Sequence, residues 1–256
     1  MKTGYFFDID GTLYSHAFHE VQASTIEALN YLKELGHKVI AATSRASSEW
    51  NHLPSSLRNF PFDARIMDGG PLIYEKENVI KETPIDSSLV KKISTLCKQE
   101  NMCWKYSTRE GTYWGNERVT DPMRWVCWHC YLTLPRFKPY ENEAVYNMIV
   151  YFDREEQEKN FKDLVKDCSV VPYFDCIEIR ANACDKKDSI AYLKDYYSLN
   201  RIVCFGDGDN DIDMLAHADL GVAMGNGQKR CKEVADVVIG SCREDAIYQF
   251  IMEELK

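Results

Sequence analysis

Short apolar runs alternate with amphipathic stretches at both ends of the chain. The runs predict buried strands, and apolar residues spaced three and four apart predict helices between them. We expect N-terminal strands at residues 3–10, 37–44, 64–67, 72–74 and 79–81, with a helix at 21–35. We expect C-terminal strands at 201–207, 220–225 and 236–240, with helices at 209–217, 229–234 and 244–255. Strands that alternate with helices indicate an α/β protein with a doubly wound parallel sheet, covered by helices on both faces.

The middle of the chain has a different pattern. It holds every tryptophan except Trp50, two aromatic strand patterns, YNMIVYF and DCIEIR, and a stretch without clean periodicity, WVCWHCYLTLPRFKP. We therefore predict two domains. Residues 1–83 and 184–256 would form the core that contains the parallel sheet, and residues 84–183 would form an α+β domain inserted into it.

Two acids directly follow the first apolar run, in FFDIDGTLY. Asp8 and Asp10 are two residues apart, so on a strand both side chains would point to the same side. Two like charges held together repel each other and raise the pKa of one of them, unless a cation or a shared proton stabilises the pair. We therefore expect a cation near Asp8 and Asp10.

A second acidic cluster, GDGDND, follows the strand predicted at 201–207 and contains Asp207, Asn210 and Asp211. In an open parallel sheet, ligands bind beyond the carboxyl ends of the strands, so this cluster would meet Asp8 and Asp10 at one edge. Oxygen ligands of this kind suit a hard divalent cation, and carboxylates, carbonyls and water favour Mg²⁺.

The remaining polar residues at this edge suit a phosphate group. Thr43, in ATSR, offers a hydroxyl and a backbone N–H at the start of a predicted helical turn. Lys186 offers a positive charge where the chain returns from the inserted domain. A carboxylate nucleophile, a neighbouring acid, a lysine and Mg²⁺ are the parts needed to transfer a phosphoryl group through an aspartyl-phosphate.

Four motifs in this order resemble those of the haloacid-dehalogenase-superfamily hydrolases of the Cof type. The motifs are DIDGTL, VIAATSR, CDKKDSI, and GDGDNDIDML followed by GVAMGNG, and the resemblance spans the whole chain. It implies a phosphatase with a Rossmann-like core and a large α+β cap domain inserted between the second and third motifs. The expected substrate is a small phosphorylated metabolite, such as a sugar phosphate or a nucleotide.

The resemblance also implies roles for individual residues. Asp8 would be the nucleophile, and Asp10 would act first as general acid and then as general base. Thr43 and the backbone of Ser44 would hold the phosphoryl oxygens. Lys186 would neutralise these oxygens and steady Asp8.

The same resemblance implies a magnesium site. Asp207 would bind Mg²⁺ together with Asp8 and the backbone carbonyl of Asp10. Asp211 would bind the metal directly or support a residue that does, and Asn210 would reach the phosphate.

The chain departs from the family pattern at three places. It has Thr43-Ser44-Arg45 where the family usually has Thr-Gly-Arg, and Lys186-Lys187 where Lys-Gly is usual. It has Asp68-Gly69-Gly70 where Asn-Gly-Ala is frequent, and an acid there would repel a phosphate. The doubled lysine leaves open whether Lys186 or Lys187 is the functional residue.

Composition narrows the possible partners and the expected cellular location of the protein. The formal net charge of −9 argues against a nucleic-acid partner, and no apolar stretch is long enough to suggest a membrane partner. The ten cysteines form no disulfide framework, so we expect a cytoplasmic protein in which most of them are buried. Cys127 and Cys130 could form a redox or zinc site, but without a second ligand pair they are better interpreted as packed side chains. The oligomeric state stays open.

Two further functions and one surface remain as alternatives. The chain could be a phosphomutase, or a sensor that binds a phosphorylated metabolite without turnover, although a sensor would not need Asp10.

In the segment RVTDPMRWVCWH, residues 118–129, the aromatic and basic side chains either pack in the cap or face the catalytic pocket. In the second case the tryptophans would stack on the substrate, and an arginine would hold a second anionic group.

Overall fold

The computed structural model describes residues 2–117, 119, 123–124, 127, 134–153, 155–173 and 175–256. The strands of this part of the chain are β1 (Thr3–Phe7), β2 (Lys38–Ala42), β3 (Ala64–Met67), β4 (Leu72–Glu75), β5 (Asn78–Glu82), β6 (Trp104–Ser107), β7 (Thr112–Trp114), β8 (Arg136–Phe137), β9 (Asn147–Tyr151), β10 (Ser169–Pro172), β11 (Cys176–Arg180), β12 (Arg201–Gly206), β13 (Leu220–Ala223) and β14 (Val237–Val238).

The helices connect these strands. They are α1 (Ala23–Glu34), α2 (Ser55–Arg58), α3 (Ser87–Gln99), α4 (Glu155–Leu164), α5 (Lys186–Tyr196), α6 (Ile212–Ala216), α7 (Lys229–Val234) and α8 (Ala246–Glu254), with 3₁₀ turns at Ser47–His52 and Asp209–Asp211. Among the described residues, no helix is both long enough and apolar enough to cross a membrane.

One sheet has eight strands in the order β14-β13-β12-β1-β2-β3-β4-β5. Its strands run parallel from β14 to β3, and the hairpin of β4 and β5 extends it in the antiparallel sense. This arrangement confirms the predicted doubly wound α/β core and the predicted hairpin. β1 lies in the middle, between β12 and β2, so the residues that follow these three strands meet at one edge.

Both faces of this sheet are buried, which explains the apolar run in β1. Tyr5 and Phe7 pack against α1 and α8 on one face, and Phe6 packs against α5 and α6 on the other. Alternate side chains of a strand point to opposite faces, so a strand covered on both sides has to be apolar throughout. The two cores include residues of β1, β2 and β12 and so hold these neighbouring strands together.

A second sheet has six strands, β10-β11-β9-β6-β7-β8, and is antiparallel except where β7 pairs with β8. All of these strands lie within the predicted insertion, 84–183. Helix α3 packs against this sheet through Val90, Ile93 and Cys97. Its N-terminus is capped by Asp86, whose side chain accepts bonds from the backbone of Ser88 and Leu89, an interaction that stabilises a helix by about 1 kcal/mol. The boundaries of the insertion stay a prediction.

Two predicted elements differ from the structure for local reasons. The first strand was expected to reach Asp10 but ends at Phe7, because the chain turns at Gly11, whose φ is 88°. The helix expected at 209–217 begins as a 3₁₀ turn and is α-helical only over Ile212–Ala216. There the side chain of Asp211 accepts bonds from the backbone of Asp207 and Gly208, which tightens the first turn.

Candidate active site

The residues after β1, β12 and β2 converge at the carboxyl edge of the eight-stranded sheet, where they were expected. Oxygen atoms of Asp8, Asp207 and Asp211 all lie within 4.8 Å of one another. Lys186, at the start of α5, reaches into this group. Its Nζ donates to Asp8 Oδ1 at 2.6 Å and to Asp211 Oδ1 at 2.7 Å.

The acidic group is buried and holds more negative charge than Lys186 can balance. Asp8 is 3% exposed, Asp211 0% and Lys186 1%. Burial raises the pKa of Asp8 well above its usual range, and Asp211 acts in the same direction while Lys186 opposes both. Burial and Asp211 likewise raise the pKa of Asp207 to about 7. Three carboxylates that share a single lysine are a donor set that fits Mg²⁺.

Asp211 differs from its two neighbours because both of its carboxylate oxygens already have partners. Oδ1 accepts from Lys186, and Oδ2 accepts from the backbone N–H groups of Asp207 and Gly208 at 3.0 Å each. Asp211 therefore holds Lys186 and the loop in place. Asp8 and Asp207 are better placed than Asp211 to bind a cation directly.

Asp10 does not share the position of Asp8, contrary to the expectation from strand alternation. Its carboxylate accepts two bonds from Arg45, at 2.8 and 2.7 Å, and lies 3.0 Å from His16 Nε2. Burial alone would raise the pKa of Asp10, but the bonds from His16 and Arg45 outweigh it and lower that pKa to about 2. The side chain turns away because β1 has ended before it.

The turn at Gly11 also shapes the acidic group. A Cβ atom on Gly11 would overlap the carboxylate of Asp207, lying 2.6 Å from its Cγ. Only glycine combines this close approach with a φ of 88°. The glycine of DIDGTL thus allows Asp207 to approach the first strand end.

The predicted phosphate ligands come together only in part. Asn210 Nδ2 donates to Ser44 Oγ at 3.0 Å, so these two residues are adjacent. The backbone N–H of Thr43, expected to bind phosphate, instead donates to the Ile66 carbonyl oxygen at 2.9 Å. The 3₁₀ turn begins at Ser47 rather than directly after Thr43. The hydroxyl of Thr43 remains a candidate, although it accepts from the N–H of Arg45 at 3.0 Å.

Sequence reasoning missed the partners of Asp10. Arg45 was noted only as part of a motif that departs from the family pattern, and its side chain is 2% exposed and aimed at Asp10. His16 lies beyond the first motif, where no spacing rule pointed to it. Of the doubled lysine, Lys186 contacts the carboxylates, whereas Lys187 has no ion pair among the described residues.

A hollow of about 440 Å³ lies between this edge and the six-stranded sheet. Asp10 and Ser44 line its inner end, and side chains of β6, β7, β9 and β11 line its outer end. We call it the cap cavity, and the residues used below to describe it are Asp10, His16, Arg45, Glu49, Asp68, Lys105, Asp175 and Glu178.

The predicted aromatic and basic surface of the cap falls largely outside the described residues, which exclude Arg118, Trp125, Trp128 and His129. Arg124 is exposed and lines a separate hollow of about 220 Å³.

Cys127 packs with Cys103 and Trp114, and Cys130 is also outside the described residues. Seven of the nine described cysteines are buried, and all nine are free thiols, as expected.

The family model described as haloacid dehalogenase-like hydrolase matches residues 5–251. The chain belongs to this family. Among curated relatives of this haloacid dehalogenase-like hydrolase, the putative phosphatase YkrA of Bacillus subtilis is 24% identical over 97% of this chain and 96% of its own. A putative phosphatase of Haemophilus influenzae is 39% identical, but that match spans 30% of each chain.

Solved structures of haloacid dehalogenase-like hydrolases agree with this assignment. The phosphatase BT1666 from Bacteroides thetaiotaomicron has a TM-score of 0.86 at 26% identity, over 99% of this chain and 95% of its own. The subclass IIB sugar phosphatase BT4131 has a TM-score of 0.86 at 25% identity, over 99% of both chains. The predicted family, fold class and phosphatase activity are confirmed by these comparisons.

Proposed function

We propose that this haloacid dehalogenase-like hydrolase is a Mg²⁺-dependent phosphatase that hydrolyses a small phosphorylated metabolite through an aspartyl-phosphate on Asp8. The observation that carries the proposal is the contact of Asp8 with Lys186 at 2.6 Å inside a buried acidic group. Relatives named as a pyridoxal phosphate phosphatase, 48% identical over 23% of this chain, and an HMP-PP phosphatase, 24% identical over 96%, support a substrate of this size.

Asp8 is suited to act as the nucleophile. Lys186 favours the ionised form of this carboxylate, although burial and the neighbouring acids disfavour it. Attack of a carboxylate oxygen on phosphorus forms an acyl phosphate, while the bond between phosphorus and the leaving oxygen breaks. Water then attacks the same phosphorus, which releases phosphate and regenerates Asp8.

Asp10 would move the protons of these two steps. With a pKa of about 2, it is ionised in this conformation and is ready to accept a proton from the attacking water. To donate a proton to the leaving oxygen in the first step, it has to loosen its bonds with Arg45 or His16. We infer that the leaving group displaces His16 when it binds, while the two bonds between Arg45 and Asp10 remain.

Asp8, Asp207 and the backbone carbonyl of Asp10 would hold Mg²⁺, with Asp211 fixing the loop behind them. Held there, Mg²⁺ would supply positive charge that stabilises the phosphoryl group during its transfer. Phosphoryl oxygens would be bound at the same edge by Ser44, Asn210 and the hydroxyl of Thr43. Ser44 Oγ and Asn210 Nδ2 lie 3.0 Å apart. The cytoplasmic location and the phosphomutase alternative stay predictions.

A chelation experiment tests the proposal. Purified protein treated with EDTA should lose its hydrolysis of p-nitrophenyl phosphate, and excess Mg²⁺ should restore it. Ca²⁺ should not restore it, because Ca²⁺ prefers more ligands and longer bonds than in-line transfer allows. Full activity in excess EDTA would contradict the proposal.

A further inference from the structure

We propose that the cap cavity binds a leaving group that is neutral or cationic and rich in hydroxyl or ammonium donors, and that it rejects one carrying a second anionic group. This inference rests on the proposed phosphatase function. It concerns the leaving-group side of the site, because Asp10, the residue proposed to protonate the leaving oxygen, lines the inner end of the cavity.

The charges around the cap cavity are unbalanced. Its described lining contains five acidic residues, two permanently charged basic ones, Arg45 and Lys105, and His16, which contacts Asp10. Arg45 is engaged by Asp10 through two bonds. Lys105 lies among acids, and although burial alone would lower its pKa, Glu49 and Glu178 raise it. Even with Asp68 protonated, the described acids of this lining outnumber Arg45 and Lys105, so a second phosphate or carboxylate would meet more negative charge than positive charge from the described residues.

Two buried acid oxygens in the cavity wall have no hydrogen-bond partner among the described residues. Glu49 is 3% exposed and Asp68 is 0% exposed. Oε1 of Glu49 and Oδ2 of Asp68 have no hydrogen-bond partner within the described part of the chain. Lys105 Nζ, at 3.9 Å from Glu49 Oε1, is too far away to donate a hydrogen bond.

The oxygen of Glu49 indicates what the ligand has to supply, whereas Asp68, whose pKa burial raises to about 8, carries its own proton near neutral pH. A buried polar atom without a partner is unfavourable, so a ligand that donates hydrogen bonds to it gains affinity. Hydroxyl and ammonium groups are donors, whereas an ionised carboxylate or phosphate has only acceptors. The wall thus favours a leaving group with hydroxyl or ammonium donors. It disfavours a leaving group with a second anionic group, because such a group offers no donor and is repelled by the acids.

The pKa of Asp68 and the partners of Glu178 distinguish these two acids of the wall from Glu49. Burial raises the pKa of Asp68 to about 8, and Glu49 and Glu178 act in the same direction. Glu178 already has partners, accepting from Asn147 Nδ2 at 2.6 Å and lying 3.4 Å from Arg180 Nε. Asp68 is therefore protonated near neutral pH, and Glu49 is the buried acid of the wall with an oxygen left to accept a hydrogen bond from the ligand.

A matched substrate series tests the inference. The series is sorbitol 6-phosphate, glucosamine 6-phosphate and 6-phosphogluconate, which share a six-carbon chain and a primary phosphate ester. Away from the phosphate, the first carries no charge, the second an ammonium group and the third a carboxylate. We expect kcat/KM for each of the first two to exceed that for 6-phosphogluconate by about tenfold or more. A difference smaller than tenfold for both would overturn the inference.

Two further measurements separate this inference from the proposed function. p-Nitrophenyl phosphate reports on the phosphatase function alone, so loss of that activity would refute the function rather than the preference for the leaving group. Calorimetric titration of the same three phosphates into the Asp8→Asn protein measures their affinities without turnover. The order of affinities should match the order of kcat/KM, and tighter binding of 6-phosphogluconate would again overturn the inference.

Variants test the residues responsible. Glu49→Gln should reduce the discrimination against 6-phosphogluconate by at least about threefold, because it removes one negative charge from the wall. Glu77→Gln is the matched control, because the Glu77 side chain is 92% exposed on the turn between β4 and β5. Its ratio of kcat/KM for sorbitol 6-phosphate to kcat/KM for 6-phosphogluconate should equal that of the wild type. Asp175→Asn, which removes a negative charge at an exposed position of the same lining, is the second variant if Glu49→Gln does not fold. An unchanged ratio in the folded variant would overturn the assignment.

Discussion

Replacing Lys186 by methionine should both destabilise the protein and abolish most of its activity. Lys186 is 1% exposed and is the described cation in contact with Asp8 and Asp211, at 2.6 and 2.7 Å. Removing one partner of a buried ion pair usually costs about 3–5 kcal/mol, because the remaining charges are left buried without compensation. For a chain of this size, that loss corresponds to a fall in Tm of roughly 6 to 20 °C.

Lys187→Met is the matched control for this experiment. Lys187 is only half-buried and makes no ion pair with the described residues, so its replacement should change Tm by less than about 2 °C. Thermal unfolding is best followed in EDTA, which prevents a metal ion from replacing the lost charge. Hydrolysis of p-nitrophenyl phosphate with Mg²⁺ should fall at least about a hundredfold for Lys186→Met and less than threefold for Lys187→Met. Equal losses for the two variants would refute the assignment of Lys186.

Two other substitutions test the packing beneath the cap. A Cβ on Gly70, where φ is 145°, would overlap the Cys184 carbonyl and lie 2.6 Å from the carbonyl carbon of Asp185, whereas nothing lies within 4 Å of that position on Gly36. Gly70→Ala should therefore lower the free energy of unfolding in urea by at least about 2 kcal/mol more than Gly36→Ala, and equal losses would contradict this. Asp68 has its pKa raised from 3.8 to about 8, so its protonated form stabilises the folded state at low pH and that contribution is lost as pH rises towards 8. Asp68→Asn should remove this part of the decline in Tm between pH 5 and pH 8, and an identical decline in both proteins would refute it.

Much of the parallel sheet could be predicted because its strands are buried on both faces. Strand β3 and helix α7 have the bounds expected from the sequence, and the predicted hairpin forms β4 and β5. In the cap, the aromatic patterns predicted β9 and β11, but β6, β7 and helix α3 were not recognised. Half-buried elements of mixed composition carry a weaker periodic signal than strands covered on both faces.

In the candidate site, the residues that follow strand ends could be predicted, whereas side-chain partners distant in the sequence could not. The motifs predicted the convergence of Asp8, Asp207 and Lys186, because residues at the ends of adjacent parallel strands have to meet. The orientation of Asp10 was not predictable from alternation, since it depends on the turn at Gly11 and on an arginine 35 residues away. Side-chain partners across such distances are set by the packing of whole elements.

The central claim is that Asp8 is the nucleophile of a phosphatase. The most direct test is the steady-state hydrolysis of p-nitrophenyl phosphate with saturating Mg²⁺ by the wild type, by Asp8→Asn, and by Asp213→Asn as a control at an exposed acid on α6. An amide keeps the shape of the carboxylate but does not attack phosphorus. We predict that Asp8→Asn keeps the wild-type Tm within a few degrees and less than about a thousandth of the wild-type kcat, while Asp213→Asn stays within twofold. A folded Asp8→Asn protein that keeps more than this activity would contradict the account.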